Sequence, residues 1–221
     1  MHELLRDPFA HHVYQAFLNT LTGHPERNLA ESATGKSRKR QQGLSDSSTT
    51  PPSFADLHHK FLGTLKGYDW SITEKLVFDK YSAPLLQSII ETDTPKAPKR
   101  KSKSKIPEKT FVDILLQGAG DSSGTVFVNA ISRTAQQAFI TRLLQDTIGS
   151  RTLETIIRLA PEDIVEKLFT VYFRPRLIEV SSDDVSYFCA QRILERLTRP
   201  EDVSAAVEDL LPCTEQFIRI H

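Results

Sequence analysis

The sequence lacks most of the features that announce chemistry or membrane residence. It holds only two cysteines, Cys189 and Cys213, in 221 residues. Without patterned cysteines there is no disulfide framework, and the pair fits buried thiols in a reducing compartment. No apolar run approaches the ~20 residues that cross a bilayer. Met1 to Asp7 has neither the basic start nor the apolar core of a signal peptide. No membrane partner is expected. Net charge is also missing, because 28 Lys and Arg balance 28 Asp and Glu, which argues against a generic polyanion binder.

Catalytic and metal signatures are absent as well. His11/His12 and His58/His59 are adjacent pairs, so on a helix they diverge by roughly 100° and cannot converge on one cation. Ser150 has no His and Asp in helical register and no Gly-x-Ser-x-Gly elbow. Gly118, Gly120 and Gly124 follow the apolar run Phe111 to Leu116. Their spacing misses the dinucleotide fingerprint by one residue, no Gly-Lys-Ser/Thr follows them, and a flexible loop is expected. Glu162 and Asp163 suit a helix N-terminus and its dipole. No enzyme, cofactor or metal is expected.

What is present is a repeated block. Residues 146–157, DTIGSRTLETII, open as a turn and continue as a helix in which Leu153, Ile156 and Ile157 form one buried stripe. The frame recurs from Asp7 (DPFAHHVYQ), Asp79 (DKYSAPLLQ) and Asp183 (DDVSYFCAQ), each time with Asp first and Gln or Glu eight residues later. Recurrence at fixed spacing signals a stacked array rather than one globular core. Two side chains four apart share a helix face and can converge on one planar group.

These blocks resemble the RNA-facing helices of Pumilio-type repeats. In that family one residue and another four later clasp a base edge, and the residue after the first packs between bases. The resemblance implies edge pairs His11/Gln15, Ala83/Gln87, Ser150/Glu154 and Tyr187/Gln191, with His12, Pro84, Arg151 and Phe188 between bases. A Ser with a Glu implies guanine, whose two N–H donors a carboxylate accepts; Gln suits uracil or adenine. Ala83, Pro84 and Tyr187 depart from the family pattern and favour loose or shape-aided recognition. The runs DTIGSRTLETIIRLAP, SYFCAQRILERL and DKYSAPLLQSIIE are similar to the nucleolar protein nine family of pre-ribosomal RNA factors. The match is strongest over residues 140 to 211, with shorter stretches near 7–20 and 53–91.

That family implies an all-α, right-handed α-solenoid whose partner is single-stranded or partly structured pre-rRNA. It implies small-subunit rRNA maturation in the nucleus and nucleolus, a monomer, and pre-ribosomal particle proteins as further partners. About four repeats are counted, fewer than a full array. The rival readings are an armadillo-like or HEAT-like protein scaffold, and a Pumilio-type mRNA regulator, which would carry a denser run of intact repeats.

Punctuation divides the chain into residues 1–23 (a partial repeat), 24–52 (linker), 53–91 (a repeat), 92–109 (linker) and 110–221, an array with two repeats. The first linker carries Lys36, Arg38, Lys39 and Arg40; the second carries Lys96, Lys99, Arg100, Lys101, Lys103 and Lys105. Almost devoid of apolar residues or broken by proline, both are expected to be disordered. They suit nuclear import or phosphate contacts, and they leave the helical remainder net acidic. Expected apolar faces are Phe9, Val13, Phe17 and Leu21; Phe54, Leu57, Phe61 and Leu65; Ala135, Phe139, Leu143 and Leu144; Ile164, Leu168, Val171 and Tyr172; and Val203, Val207, Leu210 and Leu211. Ser71 is expected to cap a helix over 72–78, and 177–180 to form a connector. End repeats should fray.

Overall fold

Asp residues set the local architecture. In a computed structural model describing residues 2–23, 51–94, 109–117 and 134–213, each repeated Asp closes the turn that starts a helix. Asp7 accepts the N–H of Phe9 and Ala10, Asp79 those of Tyr81 and Ser82, Asp146 those of Ile148 and Gly149, and Asp183 those of Val185 and Ser186, all at 2.7–3.1 Å. Each carboxylate thus satisfies donors that a helix start leaves without intrahelical partners. Ser82 and Ser186 also donate their hydroxyls back to Leu76 and Val180 of the preceding helix.

The described residues form helices α1 (His2–Leu5), α2 (Ala10–Thr22), α3 (Pro52–Lys66), α4 (Trp70–Val77), α5 (Ser82–Asp93), α6 (Phe111–Gln117), α7 (Thr134–Gln145), α8 (Gly149–Leu159), α9 (Glu162–Leu168), α10 (Leu177–Ser182), α11 (Tyr187–Glu195) and α12 (Pro200–Leu210). They contain no strand. The helices group as four triplets. In each, the first packs on the second, and the second helices α2, α5, α8 and α11 stack on one another in sequence. One continuous apolar core runs from Leu5 to Ala206. The expected α-solenoid is what the structure shows.

Residues 24–50, 95–108 and 118–133 lie outside the described residues, so the two basic linkers and the glycine-rich loop are not placed. The first two stretches connect a second helix to a third, the connection that residues 160 and 161 make between α8 and α9.

Close approach fixes Gly149. A Cβ there would sit 2.7 Å from Cε1 of Phe78, the ring that also lies under the Arg142 guanidinium. Gly23 ends α2 with φ 69°, the left-handed conformation that suits a residue without Cβ.

The run Phe111 to Leu116, whose spacing leaves helix and strand open, is helix over Phe111–Gln117. Several local expectations are corrected. α4 begins at Trp70, ahead of Ser71, with Trp70 packed edge-on against Phe139 at 4.8 Å. Residues 177–180 belong to helix α10, which α9 reaches through a π turn (Phe169–Phe173) and a 3-10 turn at Arg174–Arg176. Pro175 lacks an N–H and so interrupts the α ladder without ending the helical path. The π turn rotates Phe169 and Phe173 inward and leaves Val171 exposed. Leu57 is exposed too, as are Phe9, Val13 and Phe17 on α2 and Val203, Val207 and Leu211 near the other end.

Candidate nucleic-acid interface

Because all four blocks share one frame, equivalent side chains can be compared across the stacked second helices. The position five after the Asp is exposed every time, at His12, Pro84, Arg151 and Phe188. Such a recurrence places one side chain per repeat on the same solvent-facing strip. The position four after the Asp behaves differently. Tyr187 is exposed and His11 half-buried, but Ser150 is buried and Ala83 has no accessible surface. Ala83 therefore offers nothing to an edge, and its partner Gln87 stands alone.

The position eight after the Asp is engaged with the next repeat. Gln15 donates to Ser88 at 3.1 Å and to Asn19 at 3.2 Å. Gln87 reaches Thr152 at 3.5 Å. Glu154 accepts from Arg192 at 3.1 Å. Gln191, in the last repeat, instead donates to Glu195 of its own helix at 3.1 Å. Aromatic pairs flank the strip: His11 lies 3.8 Å from His12 and 5.2 Å from Tyr81, and Tyr187 lies 3.9 Å from Phe188, centroid to centroid.

Four of the twelve candidates meet in one place. Between α8 and α11 a cleft of about 100 Å³ is lined by Thr147, Ser150, Arg151, Glu154, Asp184, Val185 and Phe188. Arg151 and Phe188 present a planar cation and an aromatic ring, two surfaces on which a flat group stacks. Ser150 and Glu154 line the same cleft, the Ser150 hydroxyl donating to the Thr147 carbonyl at 3.3 Å. Asp184 adds a second carboxylate, so the cleft favours a ligand rich in N–H donors. His11, His12, Gln15, Ala83, Pro84, Gln87, Tyr187 and Gln191 are not part of it.

The floor of this junction is rigidly tied. The Cys189 thiol donates to the Ser150 carbonyl at 3.2 Å, and burial pushes its pKa up to about 12. Arg196 donates to the carbonyls of Ile157, Arg158 and Ala160, closing the C-terminus of α8 from the next repeat. Arg192, Glu195 and Arg196 escaped the sequence reading because an Arg three residues before a Glu looks like an ordinary surface pair. Only the stacking of α8 on α11 shows that these side chains reach across repeats. No grouping of three or more His, Cys, Asp or Glu able to hold a metal occurs among the described residues.

Triplets of helices stacked through their second members define the Pumilio-repeat class of α-solenoid. Two solved structures share the arrangement. The structure of APUM23-GGAGUUGACGG superposes with a TM-score of 0.66 at 19% identity, covering 97% of this chain and 36% of that one. A second APUM23 structure, with its insert region deleted, gives 0.64 at 16% identity, over 97% of this chain and 34% of that one. Within this class the chain belongs to the family described as the NOP9-like PUF repeat domain, which matches residues 1–220. Among curated relatives, Nucleolar protein 9 of Fusarium vanettenii is 29% identical and Nucleolar protein 9 of Botryotinia fuckeliana 26% identical, each aligned over 97% of this chain. The chain spans 30% and 27% of their lengths, respectively.

Proposed function

We propose that this chain binds single-stranded RNA in ribosome biogenesis, acting in the nucleolus on small-subunit pre-rRNA without catalysing a reaction. The observation that carries the reading is the cleft between α8 and α11. Arg151 and Phe188, equivalent residues of consecutive repeats, line it together with the Ser150/Glu154 edge. A base entering between them would stack on a guanidinium and a ring while its edge meets a carboxylate. The likeness to the Nucleolar protein 9 relatives and to APUM23-GGAGUUGACGG supports the same assignment. His12 and Pro84 extend the strip toward α2, where the half-buried Gln15 and Gln87 give weaker edges.

The test is fluorescence anisotropy with short single-stranded RNAs, with and without guanine, across a salt series. Arg151→Ala and Phe188→Ala should each weaken binding by ~1–3 kcal/mol, the value of one stacked base. Glu154→Gln should weaken guanine-containing strands selectively. Binding that falls with salt but ignores guanine and all three substitutions would leave only phosphate contacts. Absence of binding to any RNA would sink the reading and favour a protein-binding scaffold.

A further inference from the structure

We propose that Arg192 is a positioning residue that makes Glu154 a guanine-reading edge, so that base preference in one repeat is set by the helix of the next. The inference rests on the RNA-binding reading above and deepens it. Arg192 lies on α11, one residue beyond Gln191. One guanidinium nitrogen donates to Glu154 Oε1 at 3.1 Å and the other to Glu195 Oε2 at 2.6 Å. The planar fork therefore joins α8 to α11 in a fixed geometry, which a point-charge ammonium would not reproduce. Arg192 does not line the cleft that Ser150, Arg151, Glu154 and Phe188 share. It holds Glu154 from outside the space a base would fill, so the base and the guanidinium do not compete for one position.

The chemistry follows from lone pairs. A carboxylate offers about four acceptor sites on two oxygens. Arg192 uses one site on Oε1, which leaves Oε2 and the rest of Oε1 for a ligand in the cleft that Glu154 lines. Guanine presents two parallel N–H donors and can take both oxygens; adenine presents one donor beside an acceptor and cannot. The guanidinium also supplies a counter-charge, which lowers the repulsion between Glu154 and RNA phosphates. The same register recurs where Ser88, nine residues after its Asp, holds Gln15 of the preceding repeat. Positions nine after the other Asp residues are Ala16, Ser88 and Thr155, so in this register a cation stands behind an acid at the last junction alone.

The experiment measures affinities of the full 221-residue chain for a fluorescein-labelled uridine-rich strand with one central guanine, and for the same strand with adenine. Wild type, Arg192→Ala, Arg192→Lys and Arg158→Ala are compared, with a circular-dichroism melt of each. Arg158 bridges Glu91 across a different junction and serves as the control. Wild type should favour guanine by about tenfold, the weight of one well-placed hydrogen bond to a charged group. Arg192→Ala should bring the ratio near one, Arg192→Lys should recover part of it, and Arg158→Ala should leave it unchanged. If the Ala variant fails to fold, the Lys variant carries the test through a ratio below that of wild type.

An unchanged ratio in the folded Arg192 variants overturns the inference, as does a parallel loss of affinity for both strands, which would mean a structural role. Wild-type binding without guanine preference overturns this inference alone. Wild-type binding to neither strand overturns the RNA-binding reading with it.

Discussion

The first and third repeats carry the same pattern and meet different surroundings. Six and ten residues after their Asp, α2 has Val13 and Phe17, and α8 has Thr152 and Ile156. Thr152 and Ile156 are 0% exposed, as the equivalent Cys189 and Ile193 are on α11, whereas Val13 is 69% and Phe17 41% exposed. On α8, Thr152 accepts a hydrogen bond from Gln87 of α5; on α2, Phe17 meets only the edge of Phe61 of α3 at 5.8 Å and both it and Val13 stay exposed. Val203, Val207 and Leu211 repeat the lesson at the other end. They are exposed, while Ile164, Leu168 and Tyr172, at the matching places of the third repeat, are buried. An apolar stripe in a solenoid is a docking face, and it becomes core only where a neighbour stacks on it.

Removing the side chain of Ile156 should therefore break the middle of the array while equivalent changes at its edge do little. Ile156→Ala should cost ~2–5 kcal/mol, the range for emptying a fully buried site, with Phe17→Ala well below it in the same denaturant titration. Equal losses would show that the first repeat is packed as tightly as the third. A smaller effect is expected for Arg196→Ala, which strips donors from three carbonyls at the end of α8. About 1–3 kcal/mol should be lost, read as faster amide exchange confined to the α8–α11 junction.

The caps give a pH-dependent comparison. The Ser186 hydroxyl and N–H hold the Asp183 carboxyl below its ordinary 3.8. The Ala10 and Phe9 N–H groups do the same for Asp7. A carboxyl with a depressed folded-state pKa contributes stability that is present above its unfolded value and is lost as pH falls through the folded one. Thermal melts should therefore weaken below about pH 4. Asp183→Asn should flatten that acid limb, and an unchanged limb would assign it to other groups. The smallest effect belongs to Val13→Ser, which should shift stability by less than about 0.5 kcal/mol, as for an exposed site.

Much of this was readable before the structure. The Asp frame works because a capping carboxylate must lie at a fixed distance before the helix it starts. The one-sided stripes of α5 and α8 follow from helical spacing. Arg151 and Phe188 sit at the same place in that frame, and the structure brings them to one cleft. The rest depended on neighbours. Periodicity marks Val13 and Phe17 as an apolar face but cannot say whether anything covers it. Ala83 and Ser150 share a register and are both buried, which the spacing of their own helices does not show. Pro175 looks like a stop, and only the π turn before it shows that the helical path continues. Arg192 and Arg196 act across repeats, so no pattern within their own helix reveals them.

The most direct test of the account is amide hydrogen exchange of the whole chain with and without the guanine-containing strand. Binding at the junction of the third and fourth repeats predicts protection concentrated in the first turns of α8 and α11, around residues 148–154 and 185–191, with little change along α3 and α12. Protection that avoids α8 and α11, or that gathers on the bare face around Val13 and Phe17, would contradict it.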